Sequence, residues 1–142
     1  MQDFRKLRVW QSAHRLRLDI YSATRTFPSD ERFGLTAQVR RSASSICANI
    51  AECCGYRGGI DSARFIQMSL GSACESLDHL IAATDLGYLA KPDFERQCAA
   101  LESVRRMLVA LLDRMRSSGK PRAESPKPRA RQQGLPVPRT AR

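Results

Sequence analysis

The chain has 142 residues, with 24 Lys and Arg against 14 Asp and Glu, a formal net charge of +10. This length fits one domain and leaves no room for a second catalytic domain, while 42% hydrophobic residues suffice for a buried core. Residues 1–116 carry 17 basic and 13 acidic side chains. Residues 117–142 carry 7 basic and 1 acidic side chain, so they hold +6 of the net charge. A basic excess indicates polyanionic partners such as nucleic acid or anionic lipid.

Two sequence features indicate a cytoplasmic protein without a membrane span. The longest strongly apolar run, 107–112, is far shorter than the roughly 20 residues that a transmembrane helix needs. The N-terminus continues into an amphipathic pattern and has no apolar signal core. The five cysteines form no CxxC pair, which fits reduced thiols that pack as small apolar side chains.

Breaks rich in Gly and Pro divide residues 1–116 into four segments, whose apolar residues repeat in steps of three and four. The predicted helices span 3–26, 33–54, 61–86 and 92–115. The predicted buried seam of the third helix is Ile66, Leu70, Ala73, Leu77, Leu80 and Thr84. Asp61 is its expected N-cap and Gly87 its expected C-terminal stop, while Pro92 suits the first turn of the fourth helix.

Short connections between four helices predict an all-α fold, an antiparallel up-down four-helix bundle that occupies residues 1–116. Residues 117–142 contain five of the seven prolines and almost no large apolar side chains. We expect them to form a disordered, Pro-rich basic tail.

The first helix has a second apolar face, which predicts self-association because a helix that is apolar on two sides is buried on two sides. The predicted oligomer interface is Leu7, Trp10, His14, Leu18 and Tyr21. The alternative is that the fourth helix covers this face.

The second and third helices carry small and polar stripes. We expect close helix packing along a stripe of small residues, Ala37, Ser44, Ala48 and Ala51, and a tight contact at Gly71. We also expect Asn49, Glu52 and Glu75 to join Arg40 or Arg41 in a hydrogen-bonded network with a structural role.

Motifs for catalysis and for cofactors are missing from the sequence. Glu75 and His79 are four residues apart, and no second such pair completes a di-iron site. The two histidines lie outside any nucleophile elbow, and no phosphate-binding glycine loop is present. We therefore expect a protein that is not an enzyme and that has no metal, cofactor or small-molecule substrate.

Arginines distributed over the helices favour contact with RNA or DNA phosphates and weak sequence specificity, because no base-reading motif accompanies them. The candidate nucleic-acid-binding residues are Arg8, Arg15, Arg40, Arg41, Arg57, Arg64, Arg105 and Arg106. The alternative is a solvated surface on which these arginines pair with nearby acids. Assembly of identical subunits would multiply the modest +4 of the folded part.

Several motifs resemble one family of four-helix bundles. They are Asp3-Phe4-Arg5-Lys6-Leu7-Arg8-Val9-Trp10-Gln11, Phe27-Pro28, Glu31-Arg32-Phe33-Gly34-Leu35-Thr36, Gln38-Val39-Arg40-Arg41-Ser42-Ala43, Ser45-Ile46-Cys47-Ala48-Asn49-Ile50-Ala51-Glu52, Leu70-Gly71-Ser72-Ala73-Cys74-Glu75 and Leu86-Gly87-Tyr88-Leu89. They resemble the family encoded in ribosomal-RNA intervening sequences, whose superfamily includes accessory variability proteins of diversity-generating retroelements. Cys53 and Ser76 depart from the family pattern, and the resemblance covers residues 3–116.

The resemblance implies a barrel-like homopentamer with basic surfaces and no established catalytic activity. It leaves three functions open. The first is an oligomeric nucleic-acid-binding protein, the second an adaptor subunit for a reverse transcriptase, and the third a structural oligomer without a nucleic-acid function.

Overall fold

A computed structural model describes residues 2–56 and 60–118. In these ranges the chain forms four long α-helices and no strand. They are α1 (Arg8–Ala23), α2 (Leu35–Gly55), α3 (Ile60–Asp85) and α4 (Lys91–Ser118). The all-α prediction is confirmed, with helix ends within a few residues of those expected for α2, α3 and α4. The predicted tail from residue 119 onward, and Arg57, lie outside the described residues.

The first predicted helix is not continuous. Leu7 has extended backbone angles, φ −76° and ψ 125°, and separates a 3-10 turn at Phe4–Lys6 from α1. The Asp3 carboxylate accepts the backbone N–H of Arg5 and stabilises this turn. A second 3-10 turn, Thr24–Thr26, follows α1 directly. Periodicity alone could not distinguish these turns from α-helix, because their side chains continue the same apolar pattern.

Each helix packs on the next one along the chain, and α1 also packs on α4, so the four helices enclose one core. Contacts between neighbouring helices join the early part of one helix to the late part of the other, as expected for an antiparallel bundle. Asp19 near the end of α1 binds Arg96 near the start of α4, with Arg96 Nη2 2.8 Å from the carboxylate. In α1 and α2 the apolar residues that repeat in steps of three and four are buried, from Val9 to Ile20 and from Val39 to Cys53.

The buried face of α3 differs from the predicted seam. Leu70 and Leu77 are only partly buried, whereas three serines are fully enclosed on the side that faces α2. The Ser69 hydroxyl donates to the Ile46 carbonyl at 2.9 Å, and the Ser76 hydroxyl donates to Ser42 Oγ at 2.9 Å. Because serine is small, α2 and α3 approach closely here. The Ser69 and Ser76 hydroxyls have partners across the interface, whereas the buried Ser62 hydroxyl has none among the described residues.

The end of α3 follows the prediction closely. Gly87 has a φ of +76°, and the backbone N–H groups of Gly87 and Tyr88 donate to the carbonyls of Thr84 and Ala83. This is a Schellman motif, in which the left-handed residue is normally glycine. Pro92 lies in the first turn of α4, as predicted, whereas Asp61 lies inside the first turn of α3 and not before it.

Two expected helix contacts are absent from this protomer. Gly71 is exposed, and a Cβ added there would have no heavy atom within 4 Å among the described residues, so the predicted tight contact is wrong. Ala37 and Ala48 are likewise exposed, because α2 packs closely against α3 through the face that carries Ser42. None of the helices in the described ranges combines the length and the hydropathy that a bilayer-spanning segment needs.

Candidate nucleic-acid interface

A shallow cleft of about 540 Å³ lies between the end of α1 and the first half of α2, open to solvent. The short connection between the two helices brings their side chains together on one face. Three arginines and two aromatic residues dominate its lining. The lining residues are Tyr21, Arg32, Phe33, Thr36, Ala37, Arg40, Arg41, Ser44, Ser45 and Ala48.

Arg40 is held in place at the centre of this cleft. Its Nε donates to the Thr24 hydroxyl at 2.8 Å, and its guanidinium carbon lies 4.9 Å from the centre of the Tyr21 ring. The Tyr21 hydroxyl lies 3.5 Å from Ser44 Oγ on α2. These contacts fix a positive charge and an aromatic ring side by side, in the geometry of a cation–π pair.

Phe33 is the most exposed large apolar side chain of the described residues, at 87% of its free area. The Arg32 guanidinium lies 5.4 Å from the centre of its ring. The turn that carries both residues is anchored by Glu31, whose carboxylate accepts the backbone N–H of Leu35 at 2.7 Å. An acceptor at the first turn of α2 satisfies an otherwise free helix N–H and opposes the positive end of the helix dipole.

A smaller depression adjoins this cleft and extends its basic character. It shares Tyr21 and Arg40 with the cleft, and its lining adds Leu18, Ser22 and Arg25. Arg25 and Arg32 are absent from the arginines selected by sequence. In the structure Arg25 lies in the 3-10 turn that follows α1, and Arg32 lies in the connection that leads into α2. A usable signal was present, since arginine and aromatic residues alternate at Arg25, Phe27, Arg32 and Phe33.

The cleft is basic because its charges are mostly uncompensated. None of the described residues that line it or the adjoining depression is an Asp or Glu. Among the described residues, Glu75 of α3 is the one carboxylate in contact with a lining arginine, and its Oε1 lies 2.8 Å from Arg41 Nη2. This contact partly neutralises Arg41, whereas Arg25 and Arg32 have no carboxylate partner in the part of the chain that the structure describes.

The remaining arginines selected by sequence are scattered over three helices. Arg8, Arg15, Arg64 and Arg106 are exposed, and Arg15 donates to the Ser12 hydroxyl at 3.1 Å. Arg15 borders a second groove, between α1 and α4, but Asp19 lies in that groove as well. Arg105 is partly buried and donates to Glu102 at 2.9 Å. Of the seven candidates within residues 2–56 and 60–118, the structure therefore brings only Arg40 and Arg41 into this cleft.

The predicted polar network forms only in part. Arg41 binds Glu75, and Glu75 in turn lies 3.4 Å from His79 Nε2. Asn49 instead donates to the Ser45 carbonyl of its own helix, and Glu52 is exposed, with no hydrogen bond or ion pair among the described residues. The polar residues along α2 predicted a contact with Glu75 of α3, which Arg41 makes. They did not predict which other residues pair, because side chains of one stripe can reach different neighbours.

The predicted oligomer face of α1 is divided into two halves. Leu7 and Trp10 are partly buried against the chain's own core, and Trp10 contacts Phe4 and stacks on His14 at 4.9 Å between ring centres. Phe4 of the 3-10 turn packs on this half, with its ring centre 5.1 Å from that of Trp10. Leu18 and Tyr21 at the other end are 55% and 41% exposed.

Four of the five cysteine thiols are less acidic in the fold than an exposed thiol. Burial raises the pKa of the Cys47, Cys54 and Cys98 thiols, and that of Cys53 to about 11, so these thiols stay protonated at neutral pH. His14 Nδ1 lies 2.6 Å from Arg17 Nη2. Within residues 2–56 and 60–118, no three His, Cys, Asp or Glu side chains are grouped so that they could hold a metal ion.

Comparisons with known proteins agree with this architecture. A solved structure of a protein of unknown function, from the S23 ribosomal protein family of Bacteroides thetaiotaomicron, superposes with a TM-score of 0.68. It shares 19% sequence identity, and the match covers 74% of this chain and 95% of that one, which shows a common fold. No curated protein matches the chain. Residues 5–110 match the family model of the 23S rRNA-intervening sequence protein, and the chain belongs to that family.

Proposed function

We propose that this chain is a non-enzymatic, oligomeric nucleic-acid-binding protein that contacts RNA or DNA phosphates through its basic surfaces with weak sequence specificity. The observation that carries the proposal is the cleft between α1 and α2. Arg25, Arg32 and Arg40 border it, and no described residue in its lining is acidic. Several guanidinium groups without acidic partners match a chain of phosphates, because each can make charge-assisted hydrogen bonds to phosphate oxygens.

The shape of the cleft favours a polymer over a small substrate. It is open along its length, whereas a small-molecule site normally encloses 70–90% of its ligand. Arg40 is fixed by Thr24 and Tyr21, so little side-chain entropy is lost when it binds a phosphate. The exposed Arg8 and Arg15 of α1 would extend the phosphate contacts to a second face.

Salt dependence of binding tests the proposal. Fluorescence anisotropy of a labelled RNA or DNA should show an affinity that falls steeply between about 50 and 200 mM salt, with a log–log slope of about −0.7 to −0.9 per phosphate contact. The double variant Arg25→Ala/Arg32→Ala should reduce that slope by about 1.5, the equivalent of two contacts. Arg116→Ala is the matched control, since this exposed arginine lies at the opposite end of the bundle.

No binding at low salt, or a salt-insensitive affinity, would contradict the proposal and favour an adaptor role beside a reverse transcriptase. Equal effects of the cleft variant and of Arg116→Ala would place the contacts elsewhere on the basic surface.

Self-association is the second part of the proposal. Leu18 of α1, Leu86 after α3 and Val109 of α4 are each about half exposed, which is apolar area that a partner subunit could cover. Sedimentation should give roughly five times the monomer mass of 15.9 kDa, as the family resemblance implies. A monodisperse monomer at micromolar concentration would contradict this part and leave the binding test unaffected.

A further inference from the structure

Resting on the proposed function, we infer that the cleft between α1 and α2 binds single-stranded nucleic acid, with an unpaired base stacked on Phe33. Phe33 is 87% exposed at the rim of a cleft whose other ring, Tyr21, is 41% exposed. Exposed rings in a basic groove are the combination that sequence-tolerant single-strand binding uses, because every base offers a π-face.

Each ring is accompanied by a guanidinium group. Arg32 lies 5.4 Å from the Phe33 ring centre, and Arg40 lies 4.9 Å from that of Tyr21. A nucleotide carries a negatively charged phosphate next to a flat aromatic base. A ring beside a guanidinium group therefore matches both parts, because the ring can stack on the base and the cation can bind the phosphate. The cleft offers two such pairs, and the hydroxyls of Ser44 and Ser45 also line it.

A duplex fits this arrangement less well. Its bases are stacked on each other and present only their edges, so Phe33 could reach a π-face only after unstacking of a base step, which costs a few kcal/mol. Phosphate contacts alone would explain the arginines for a duplex, but they would leave the exposed rings without a partner. A single strand occupies both the arginines and the rings.

Charge argues against a twofold-symmetric contact between two copies of this chain through the cleft. The cleft and the adjoining depression present Arg25, Arg32 and Arg40, and no described lining residue is acidic. A symmetric contact between two copies through this cleft would bring these arginines against one another, and like charges in an interface are unfavourable.

The decisive experiment compares single and double strands with variants of Phe33 in the full chain. The probes are a 12-nucleotide strand with 2-aminopurine at its centre, in RNA and DNA versions, and a blunt duplex of the same length. The wild-type chain should bind the single strand at least tenfold more tightly than the duplex, and stacking should quench the 2-aminopurine fluorescence. Phe33→Ala should weaken single-strand binding by about 5- to 150-fold, abolish the quenching, and leave duplex binding and the salt slope unchanged.

Phe33→Leu serves as the matched control, because it keeps an apolar side chain but removes the π-face and should behave like Phe33→Ala. Both variants should fold, since the side chain is almost fully exposed, and the thermal midpoint checks this.

Equal binding of single strand and duplex, with no effect of Phe33→Ala, would overturn the inference while the proposed function stands. Loss of a sedimenting oligomer in Phe33→Ala with unchanged single-strand affinity would also overturn it, because a second copy would then cover the ring. No nucleic-acid binding by the wild-type chain would defeat the proposed function itself. RNA and DNA should bind alike, and a strict preference for one would contradict stacking as the main contact.

Discussion

The guanidinium carbon of Arg40 lies 4.9 Å from the centre of the Tyr21 ring, and the two residues join α1 to α2 at the end of the bundle where the connection is short. The same guanidinium donates to Thr24, which is buried. Arg40 therefore has a structural role as well as a place in the basic cleft. The Arg32 guanidinium, in the same cleft, lies against the exposed Phe33 ring.

Arg40→Ala should lower the free energy of unfolding by about 1–2 kcal/mol, since it removes a cation–π contact and a hydrogen bond. Arg32→Ala removes the same charge from an exposed position and should change stability by less than about 0.5 kcal/mol. Urea denaturation of both variants measures the difference. If the two variants unfolded at the same urea concentration, the contacts of Arg40 with Tyr21 and Thr24 would contribute nothing.

Two glycines should respond in opposite directions to alanine. Gly87→Ala should destabilise the fold by about 1–2 kcal/mol, because the residue has a φ of +76° and an alanine there is strained. Gly71→Ala should stabilise it by about 0.5–1 kcal/mol, since this helical position is exposed and has free space around a Cβ. Thermal unfolding of the two variants gives both signs. A destabilised Gly71→Ala would show that the position touches another subunit.

Gln97 of α4 is fully buried, and neither its amide nitrogen nor its amide oxygen has a hydrogen-bond partner among the described residues. Burial of an unpaired amide costs about 1–3 kcal/mol, so Gln97→Met, similar in volume and apolar, should raise the free energy of unfolding by about that amount. Gln97→Glu is the opposite control and should destabilise strongly at neutral pH. Chemical denaturation of the three proteins tests the order. A destabilised Gln97→Met would mean that the amide is hydrogen-bonded.

Alkaline pH should weaken the fold through Cys53. Burial raises the pKa of its thiol from 9.0 to about 11, with the neighbouring Cys54 as a second cause. Between these values the unfolded chain loses its proton while the folded chain keeps it, so stability is present below pH 9 and falls as the pH rises towards 11. A pKa rise from 9.0 to about 11, at about 1.4 kcal/mol per pKa unit, corresponds to a total fall of about 3 kcal/mol once the pH exceeds 11.

Cys53→Ala supplies the background for this measurement, because other groups also titrate in that range. Denaturation at pH 8–11 gives the free energy of unfolding as a function of pH for both proteins. The difference between the two slopes isolates the contribution of the thiol. Parallel slopes for the two proteins would show that the Cys53 thiol titrates normally when folded.

The helix periodicity was sufficient for the all-α fold, for the burial of Val9 to Ile20 in α1, and for the Schellman end at Gly87. These features depend on local spacing, and local spacing is visible in the chain. The buried serines of α3 were not predicted. The Ile46 carbonyl lies opposite Ser69 and the Ser42 hydroxyl lies opposite Ser76, and such pairs arise only when two helices pack.

The candidate site shows the same division. The sequence by itself determined the family motifs, the positive charge and the presence of Arg40 and Arg41 on α2. Only the tertiary structure decided which arginines share a surface, because it folds the connection that carries Arg25 and Arg32 back against α2 and leaves Phe33 exposed beside them. Charge is a property of composition, whereas a cleft depends on distances between residues far apart in the chain, and only packing sets those distances.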